Sequence, residues 1–506
     1  MRPHSFDRRA AMPMKILAPL TCLTLLIAAC AETHDTIDLS ADKLDPRTKL
    51  TFGACAIPIK EPRAICGLLT VAQSRESPNS SLISLPFAIL PASVRDAAPD
   101  PIVLFSGGPG PSALKILSAI SQEQLANYPL RETRDLIVMD QRGAELTLPQ
   151  SLDCSELDIN FLAGERFAST ADIAARATKC SDRLLAIGAD LASYDTQTIA
   201  RDLDELRQLL GKSRGFTQWN IVGTSFGSRV AQVSMRDAPQ GIRSVVLDGP
   251  FPLSEQEVFT AAVLDSLSEI TQTCRLQASC NAAFPNLQTR FSDVIESLET
   301  KPVQVGGQLL SGGLILRQLR LALTGATTDP SIALFMDSIA RSDWVKADTL
   351  IPILSAIDLA PNIYGMYYSI TCRETTNAPL APNSAASWSS NARQIAARGN
   401  AFPSKSVCAS WPSGRLDPSA LQLISSSIPT LITVGQFDAA TPVVNANLIA
   451  QNLQNVQTVV LPGKGHGLVE SDACMLSLAT GFIQGPASPI DRACAAPLTA
   501  NFFSLE

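Results

Sequence analysis

The sequence predicts an α/β fold in which a mostly parallel central sheet is flanked by helices and interrupted by a largely helical cap. Short apolar segments alternate with helical patterns over residues 47–251 and again over 426–506, as expected of parallel strands joined by helices. Between residues 252 and 425 strand-like segments become rare and helical stripes dominate. We therefore expect a cap insertion at 252–425, between the sixth and seventh core strands.

The individual elements follow from hydrophobic periodicity. Helical stripes predict helices at 198–210, 229–235, 258–273 and 314–323. Apolar segments predict strands at 64–71, 82–90, 101–105, 135–139, 219–222, 244–247, 429–434 and 456–461. A chain of 506 residues also exceeds what one hydrophobic core usually supports.

Composition narrows the class of protein. Hydrophobic residues make up 46% of the chain and charged residues 17%, which indicates a folded rather than a disordered protein. The formal net charge is −7, and residues 1–29 are themselves basic, so the remainder is more acidic still. An acidic body disfavours nucleic acid as a partner, because phosphates require a basic face.

Residues 1–29 are typical of an export signal, with Lys15 ahead of an apolar segment, 16–29, that is too short to span a bilayer. The segment ends Leu-Ile-Ala-Ala-Cys at 26–30, which resembles the lipobox of bacterial lipoproteins. That resemblance implies cleavage before Cys30 and lipidation of its thiol. Ordinary cleavage with an unmodified Cys30 is the alternative, and either Met1 or Met14 fits as the start.

Residues 30–46 are short, polar and unpatterned, as expected of a lipidated tether. We therefore expect an exported protein on the periplasmic side of a bacterial membrane, or at the cell surface, with its lipid as the sole membrane contact.

Cysteine usage agrees with export. Setting aside Cys22 and Cys30 leaves ten cysteines, an even number, which suits five disulfides in an oxidising compartment. Bridging of sequence neighbours is our prediction, although sequence alone leaves the connectivity open. Metal binding is disfavoured because the cysteines lack CxxC spacing and histidine is scarce. The predicted pairs are Cys55/Cys66, Cys154/Cys180, Cys274/Cys280, Cys372/Cys408 and Cys474/Cys494.

The residues Gly-Thr-Ser-Phe-Gly at 223–227 predict a serine nucleophile, Ser225. In a G-x-S-x-G elbow the serine occupies a strained turn between a strand and a helix, where bulky flanking side chains would clash. The motif alone is weak. Its context strengthens it, since a predicted strand enters at 219–222 and a predicted helix leaves at 229–235.

A serine hydroxyl needs a base, and the folded body contains a single histidine, His466, in a glycine-rich loop after the strand at 456–461. The third member should be an acid after another strand, between serine and histidine in chain order. Asp438 fits, because it follows the predicted strand at 429–434. An isolated structural histidine and a helix-capping aspartate are the alternatives.

Two backbone donors should bind the oxyanion that forms during acyl transfer. One is the N–H of Phe226, and the other is predicted in the loop Ser-Gly-Gly-Pro-Gly at 106–110, at Gly107 or Gly108. A plain tight turn is the alternative for that loop. Asp140 and Arg142 are predicted to form an internal ion pair beside it.

These motifs together resemble the proline iminopeptidase and tripeptidyl aminopeptidase branch of the α/β-hydrolases. The resemblance covers about residues 50–480 and rests on Ser-Gly-Gly-Pro-Gly, Asp-Gln-Arg-Gly at 140–143, Gly-Thr-Ser-Phe-Gly, Gly-x-x-Asp-x-x-Thr-Pro at 435–442 and Gly-x-Gly-His-Gly at 463–467. It implies an exopeptidase acting on free N-termini. Ser106 replaces the histidine frequent in these proteins, and residues 144–147 also depart from their pattern.

An aminopeptidase must pair the substrate ammonium with a carboxylate. Glu374 is the candidate, in a segment that resembles one in the family's cap, although pairing with Arg373 is a structural alternative. Tyr364, Tyr367 and Tyr368 just upstream would either line a substrate pocket or pack in a core.

The predicted function is that of an exported serine aminopeptidase that acts on peptides with a free N-terminus through an acyl-enzyme, with no cofactor and no metal. An esterase or lipase-like hydrolase is the second hypothesis, because the same machinery cleaves esters. A catalytically inactive binding lipoprotein is the third. The sequence leaves residue preference, residues removed per cut and oligomeric state open.

Overall fold

The computed structural model describes residues 44–157, 170–254, 262–305, 308–354, 364–374, 385–400, 404–495, 497–498 and 501–505. The predicted signal peptide, Cys30 and nearly all of the tether lie outside the described residues. No helix within the described ranges has the length and apolar character needed to cross a membrane.

A nine-stranded sheet in the order β1-β2-β3-β5-β4-β6-β7-β10-β11 forms the centre of the described chain. From β5 to β11 in that order every neighbouring pair is parallel, whereas β1, β2 and β3 pair antiparallel at one edge. The strands are β1 Lys49–Gly53, β2 Ile65–Ala72, β3 Leu82–Leu90, β4 Ile102–Phe105, β5 Leu136–Met139, β6 Trp219–Thr224, β7 Ile242–Asp248, β10 Thr430–Gly435 and β11 Val456–Leu461. A separate hairpin joins β8 Val303–Val305 to β9 Gln308–Leu310.

Helices of the core cover both faces of the sheet. All eight strands predicted from the sequence form: β2 and β3, which pair antiparallel, and the six parallel strands. The edge strand β1 was not predicted. The core helices are α1 Ala113–Ala119, α2 Gln122–Ala126, α3 Thr170–Ala186, α4 Thr196–Arg214, α5 Phe226–Asp237, α15 Val443–Ala450 and α16 Ala473–Gln484.

Two apolar clusters, one on each face, hold these helices to the sheet. On one face Leu203 and Leu206 of α4 and Val230 of α5 are wholly buried in one cluster. On the other face Leu114 of α1 and Phe482 of α16 belong to a second cluster. Because both faces are covered, β4 and β5 are buried at every position, which explains why their sequences are continuously apolar rather than alternating.

The helical cap lies between β7 and β10, which are the sixth and seventh core strands when the additional strand β1 is left out of the count. The helical insertion predicted from the sequence is therefore present. It has its own apolar cluster, centred on residues such as Phe291, Ile315 and Phe335. Its helices are α6 Ala262–Leu276, α7 Ala278–Ala283, α8 Leu287–Thr300, α9 Gly312–Ala322, α10 Ile332–Ala340, α11 Trp344–Leu354, α12 Tyr364–Glu374, α13 Ser390–Asn400 and α14 Ser404–Cys408.

Five disulfides join sequence neighbours, in the pairing that the sequence predicted. Each closes a short segment, between 6 and 36 residues in length. The bridges are Cys55–Cys66, Cys154–Cys180, Cys274–Cys280, Cys372–Cys408 and Cys474–Cys494.

Candidate active site

Ser225 lies at the turn between β6 and α5, with φ 57° and ψ −122°. This backbone conformation is unfavourable for any residue with a side chain and costs about 1–3 kcal/mol. The backbone N–H of Ser225 donates to the carbonyl of Asp248 at 2.8 Å, which anchors the turn to the end of β7. The side chain is half-buried. The turn therefore projects the hydroxyl beyond the carboxyl edge of the sheet.

The flanking glycines are required by close backbone approaches. A Cβ at Gly227 would stand 2.1 Å from the carbonyl oxygen of Phe105, and one at Gly223 would stand 2.6 Å from the carbonyl oxygen of Gly227. Both distances are far below van der Waals contact. The G-x-S-x-G pattern is thus explained by packing of the first turn of α5 against the end of β4.

The imidazole of His466 is hydrogen-bonded to the carboxylate of Asp438, with 2.7 Å between Nδ1 and Oδ2. The Asp438 side chain is wholly buried, and the His466 side chain is 11% exposed. The N–H groups of Ala440 and Thr441 each donate to Oδ1 of Asp438 at 2.8 Å, and the Thr441 hydroxyl donates to Oδ2 at 2.9 Å. These donors fix the carboxylate so that Nδ1 carries the proton and Nε2 is free to act as a base.

Electrostatics at His466 suit a base that becomes charged during reaction. Burial lowers the pKa of the imidazole, but the charge of Asp438, its hydrogen bond and the charge of Asp248 outweigh burial, so the pKa is raised above its ordinary value of 6.5. The two carboxylates therefore stabilise the imidazolium that proton transfer from a serine would create.

The structure brings the histidine loop to the serine turn. A Cβ added to Gly249, the residue after Asp248, would lie 2.8 Å from Cε1 of His466. A Cβ added to Gly467 would lie 3.7 Å from Cγ2 of Thr224. Gly467, the residue after His466, thus lies close to Thr224, the residue before Ser225. No hydrogen bond joins the Ser225 hydroxyl to the imidazole among the described contacts; in ligand-free enzymes such bonds are often long and tighten with substrate.

A segment of the cap, residues 323–327 between α9 and α10, holds the loops of Asp438 and His466 through its backbone. The N–H of His466 donates to the carbonyl of Gly325 and that of Gly465 to the carbonyl of Ala326, each at 3.1 Å. The N–H of Ala439 donates to the carbonyl of Leu323 at 3.4 Å. The cap is therefore a structural part of the site and not only a cover over it.

The loop at 106–110 lies against the serine. A Cβ at Gly107 would stand 2.7 Å from Cβ and 3.3 Å from Oγ of Ser225. Phe226 begins α5, and the first N–H groups of a helix have no partner within the helix. The side-chain amide of Gln141 donates to the carbonyls of Ser106 and Gly107 at 3.0 and 3.2 Å, which fixes the loop. Gly107 and Phe226, the predicted oxyanion donors, therefore both lie next to Ser225, whereas Gly108 is exposed and adopts φ +116°.

The predicted ion pair between Asp140 and Arg142 was wrong. The buried Arg142 guanidinium pairs with Asp202 of α4 through two contacts of 2.7 Å. Asp140 instead accepts the N–H of Leu114 at the start of α1. Burial raises the pKa of Asp140 to about 6. The Asp-Gln-Arg-Gly motif therefore contacts three parts of the chain. Asp140 binds the start of α1, Arg142 binds α4, and Gln141 binds the loop at 106–110.

Glu374 lies at the end of α12 with no part of its side chain exposed. It accepts hydrogen bonds from the N–H and the hydroxyl of Thr196 and pairs with Nε of Arg229 at 3.2 Å. The structural alternative predicted from the sequence was an ion pair between Glu374 and Arg373. That pair is not formed, because Arg373 binds Asp195 at 2.9 Å. A substrate ammonium would reach the Glu374 carboxylate only by displacing Arg229 or Thr196.

The tyrosines of α12 pack in the core, which was the second of the two predicted roles. Tyr368 is wholly buried and contacts the rings of Tyr364, Tyr367 and Trp411 at centroid distances between 5.4 and 6.2 Å. Tyr364 and Tyr367 are 5% and 8% exposed. These tyrosines therefore attach α12, a helix of the cap, to the apolar cluster between the sheet and helices α4 and α5.

One group of potential metal ligands lies close together within the described ranges: Cys154, Glu156 and Cys180. The two cysteines are joined in a disulfide. This bond removes the thiolates that a metal would bind.

Comparison with known families agrees with this architecture. Residues 100–274 match the family model described as alpha/beta hydrolase fold. Residues 396–494, which include Asp438 and His466, match the model described as TAP-like protein. The two matches together cover the six parallel strands of the sheet, β4 to β7 in the first match and β10 and β11 in the second.

Two bacterial proteins are similar to the chain over most of its length. Serine protease Hip1 of Mycobacterium tuberculosis (strain H37Rv) is 23% identical over 529 aligned residues, covering 97% of this chain and 98% of Hip1. YuaR of Escherichia coli K12, named as a hydrolase, is 21% identical over 474 residues, covering 86% of this chain and 88% of YuaR.

Solved structures with similar chains include an alpha/beta hydrolase fold protein from Chitinophaga pinensis, at 13% identity and a TM-score of 0.36, covering 87% of this chain and 98% of that one. An esterase from Thermogutta terrifontis is 15% identical with a TM-score of 0.34, covering 82% and 96%. Neither likeness bears on the activity of this chain.

The sheet order, the helical insertion and the family matches define an α/β-hydrolase fold. The chain is a serine hydrolase, distantly related along its length to serine protease Hip1.

Sequence reasoning did not identify three parts of this site. Gln141 was visible within the Asp-Gln-Arg-Gly motif but was given no role. Asp248 has a signature similar to that of Asp438, an acid at or just after the end of a parallel strand, and was given no role. The contribution of residues 323–327 is made by backbone carbonyls, which leave no side-chain signal.

The contact between the cap segment and the histidine loop predicts the effect of a small substitution. In Gly465→Ala the new Cβ would stand 2.0 Å from the carbonyl oxygen of Gly325, so the segment or His466 must move. We expect kcat for p-nitrophenyl acetate to fall about 10- to 100-fold, because sub-ångström misplacement of a base is costly. Gly481→Ala in α16 meets nothing within 4 Å and should keep wild-type activity. A Gly465→Ala enzyme with wild-type kcat would contradict the inferred role of the cap segment.

Proposed function

We propose that this serine hydrolase is an exported aminopeptidase that releases N-terminal residues or short peptides, with Ser225 as nucleophile, His466 as general base and Asp438 as the acid that orients the histidine. The observation that carries the proposal is the hydrogen bond between Asp438 and His466, in loops that contact the turn bearing Ser225. No metal or cofactor enters the proposed reaction.

In the proposed mechanism Ser225 Oγ attacks the carbonyl carbon of the scissile bond while Nε2 of His466 takes the hydroxyl proton. The resulting oxyanion accepts hydrogen bonds from the N–H groups of Phe226 and Gly107. His466 then donates the proton to the leaving amine, whose bond to the carbonyl carbon breaks. Water, deprotonated by His466, hydrolyses the acyl-enzyme and regenerates Ser225. Asp438 stabilises the imidazolium in both halves of the cycle.

Two observations support peptides as the substrate class. The full-length similarity to a protein named a serine protease favours peptide-bond cleavage. The motif order of the chain resembles that of aminopeptidases that act on free N-termini. The proposal does not depend on Glu374, whose oxygens are already bound by Thr196 and Arg229.

A panel of aminoacyl- and tripeptidyl-p-nitroanilides, each with a free and an acetylated N-terminus, tests the proposed specificity. We expect kcat/KM for the free forms to exceed that for the acetylated forms by at least about tenfold, equivalent to ~1.4 kcal/mol. Ser225→Ala should abolish the activity, whereas Ser228→Ala is a poor control because its hydroxyl binds the Ser225 carbonyl. Ser118→Ala, a substitution at a half-buried serine of α1, is a suitable control.

A carboxylic ester hydrolase is the second candidate, since the same nucleophile, base and oxyanion donors cleave esters. Equal rates on free and acetylated anilides would remove the aminopeptidase assignment. Activity confined to esters such as p-nitrophenyl butyrate would favour the second candidate.

We further propose export with lipidation at Cys30. Support comes from the apolar segment and lipobox-like residues at 16–30 and from five disulfides, which persist in oxidising compartments. Expression of the full chain in a Gram-negative host with labelled palmitate should label the protein and place it in the membrane fraction. Cys30→Ser should lose label and membrane association, with Cys22→Ser as the matched control. Equal labelling of wild type and Cys30→Ser would contradict lipidation at this position.

A further inference from the structure

Asp248 is the last residue of β7, and its carboxylate is completely buried. Within the described chain no arginine or lysine forms an ion pair with it. A buried carboxylate without a cationic partner is costly, and such groups cluster at functional sites. Its partners are therefore informative.

The backbone and the side chain of Asp248 bind different parts of the site. Its carbonyl accepts the N–H of Ser225 at 2.8 Å. Its Oδ2 accepts the N–H of Val469, three residues after His466, at 3.0 Å. Its Oδ1 accepts the hydroxyl of Thr433 in β10 at 2.8 Å. One residue thus links the serine turn, the histidine loop and the strand that leads to Asp438.

The residue after Asp248 also limits where the imidazole can lie. Gly249 adopts φ +53°, and a Cβ there would stand 2.8 Å from Cε1 and 2.9 Å from Nδ1 of His466. The backbone of 248–249 therefore forms the surface beneath the imidazole, while the Asp248 side chain holds the following loop residues in register.

We propose that Asp248 is a positioning residue for catalysis, which holds the His466 loop in register with the Ser225 turn. This inference rests on the proposed Ser225–His466 chemistry. Asp248 touches neither substrate nor reacting atoms and acts through His466.

The charges around this cluster determine what a pH profile will report. The charges of Asp438 and Asp248 both act to raise the pKa of His466. The charge of Asp248 also acts on two further buried groups: desolvation, followed by the charge of Asp248, raises the pKa of Glu470 to about 7, and desolvation with the charges of Glu470 and Asp248 raises the pKa of Tyr128. Because the pKa of Glu470 is raised to about 7, its titration also falls near neutral pH and must be controlled.

Asp248→Asn tests the proposal in the full-length enzyme. Asparagine has the same shape as aspartate, but its NH₂ group would face an N–H or hydroxyl donor that now binds a carboxylate oxygen. Because one of those hydrogen bonds is lost, we expect kcat for p-nitrophenyl acetate to fall about 10- to 100-fold with little change in KM. The carboxylate raises the pKa of His466, so its removal lowers that pKa. Activity requires neutral His466, so the acid limb of the kcat/KM profile should move to lower pH.

Three controls separate positioning from loss of structure. Asp337→Asn removes a buried carboxylate in the cap, paired with Arg290 and Arg341, and should leave the acid limb unmoved. The shift caused by Asp248→Asn should persist in a Glu470→Gln background, which excludes Glu470 as its source. If Asp248→Asn does not fold, Thr433→Val keeps the charge but removes one donor, and should lower kcat several-fold without moving the limb to lower pH.

Wild-type kcat and an unmoved acid limb in folded Asp248→Asn would overturn the proposal, as would wild-type kcat in Thr433→Val if only that variant folds. The ester assay reports acylation of Ser225 whether or not peptides are substrates. Failure of the aminopeptidase assignment would therefore leave this test intact, and residual ester hydrolysis by Ser225→Ala would instead refute the proposed nucleophile.

Discussion

The hydrogen bond between Asp438 and His466 is the interaction on which the site depends, because it fixes both the tautomer and the orientation of the only histidine among the residues that the structure describes. The groups that surround this hydrogen bond stabilise its geometry. Two backbone N–H groups and the Thr441 hydroxyl hold the carboxylate, burial keeps water from it, and a second carboxylate, Asp248, raises the pKa of the imidazole further. A low-dielectric environment makes each of these contacts stronger than it would be in water.

The cap takes part in the same geometry. Carbonyl groups of residues 323–326 accept N–H groups from the loops of Asp438 and His466, and the hydroxyl of Ser266 in α6 donates to the Asp438 carbonyl at 2.6 Å. Phe437, directly before Asp438, is buried in the apolar cluster of the cap. A movement of the cap would therefore displace the loops that carry His466 and Asp438. Substrate binding against the cap could in this way change the arrangement of the catalytic groups.

Much of the core was predictable because its signals are local. Each of these signals can be read from a few consecutive residues. They are the continuous apolar strands, the glycines at 223 and 227, and the histidine in its glycine-rich loop. The edge strand β1 was missed because it is only five residues long, with just Leu50 and Phe52 apolar, and four of its five residues are exposed. The partners of Arg142 and Glu374 could not be predicted, since Asp202 lies 60 residues away and Arg229 lies 145 residues away along the chain. Ion pairs of that kind are set by the tertiary fold, and sequence adjacency wrongly suggested Asp140 and Arg373.

The most direct test of the account is to locate the adduct of a fluorophosphonate by peptide mass spectrometry in the wild-type protein and in His466→Ala. The account predicts a single modification at Ser225 in the wild type and a rate of labelling reduced by about 10³-fold or more without the histidine, as expected when a serine loses its base. Labelling at another serine, or equal labelling in the absence of His466, would contradict it.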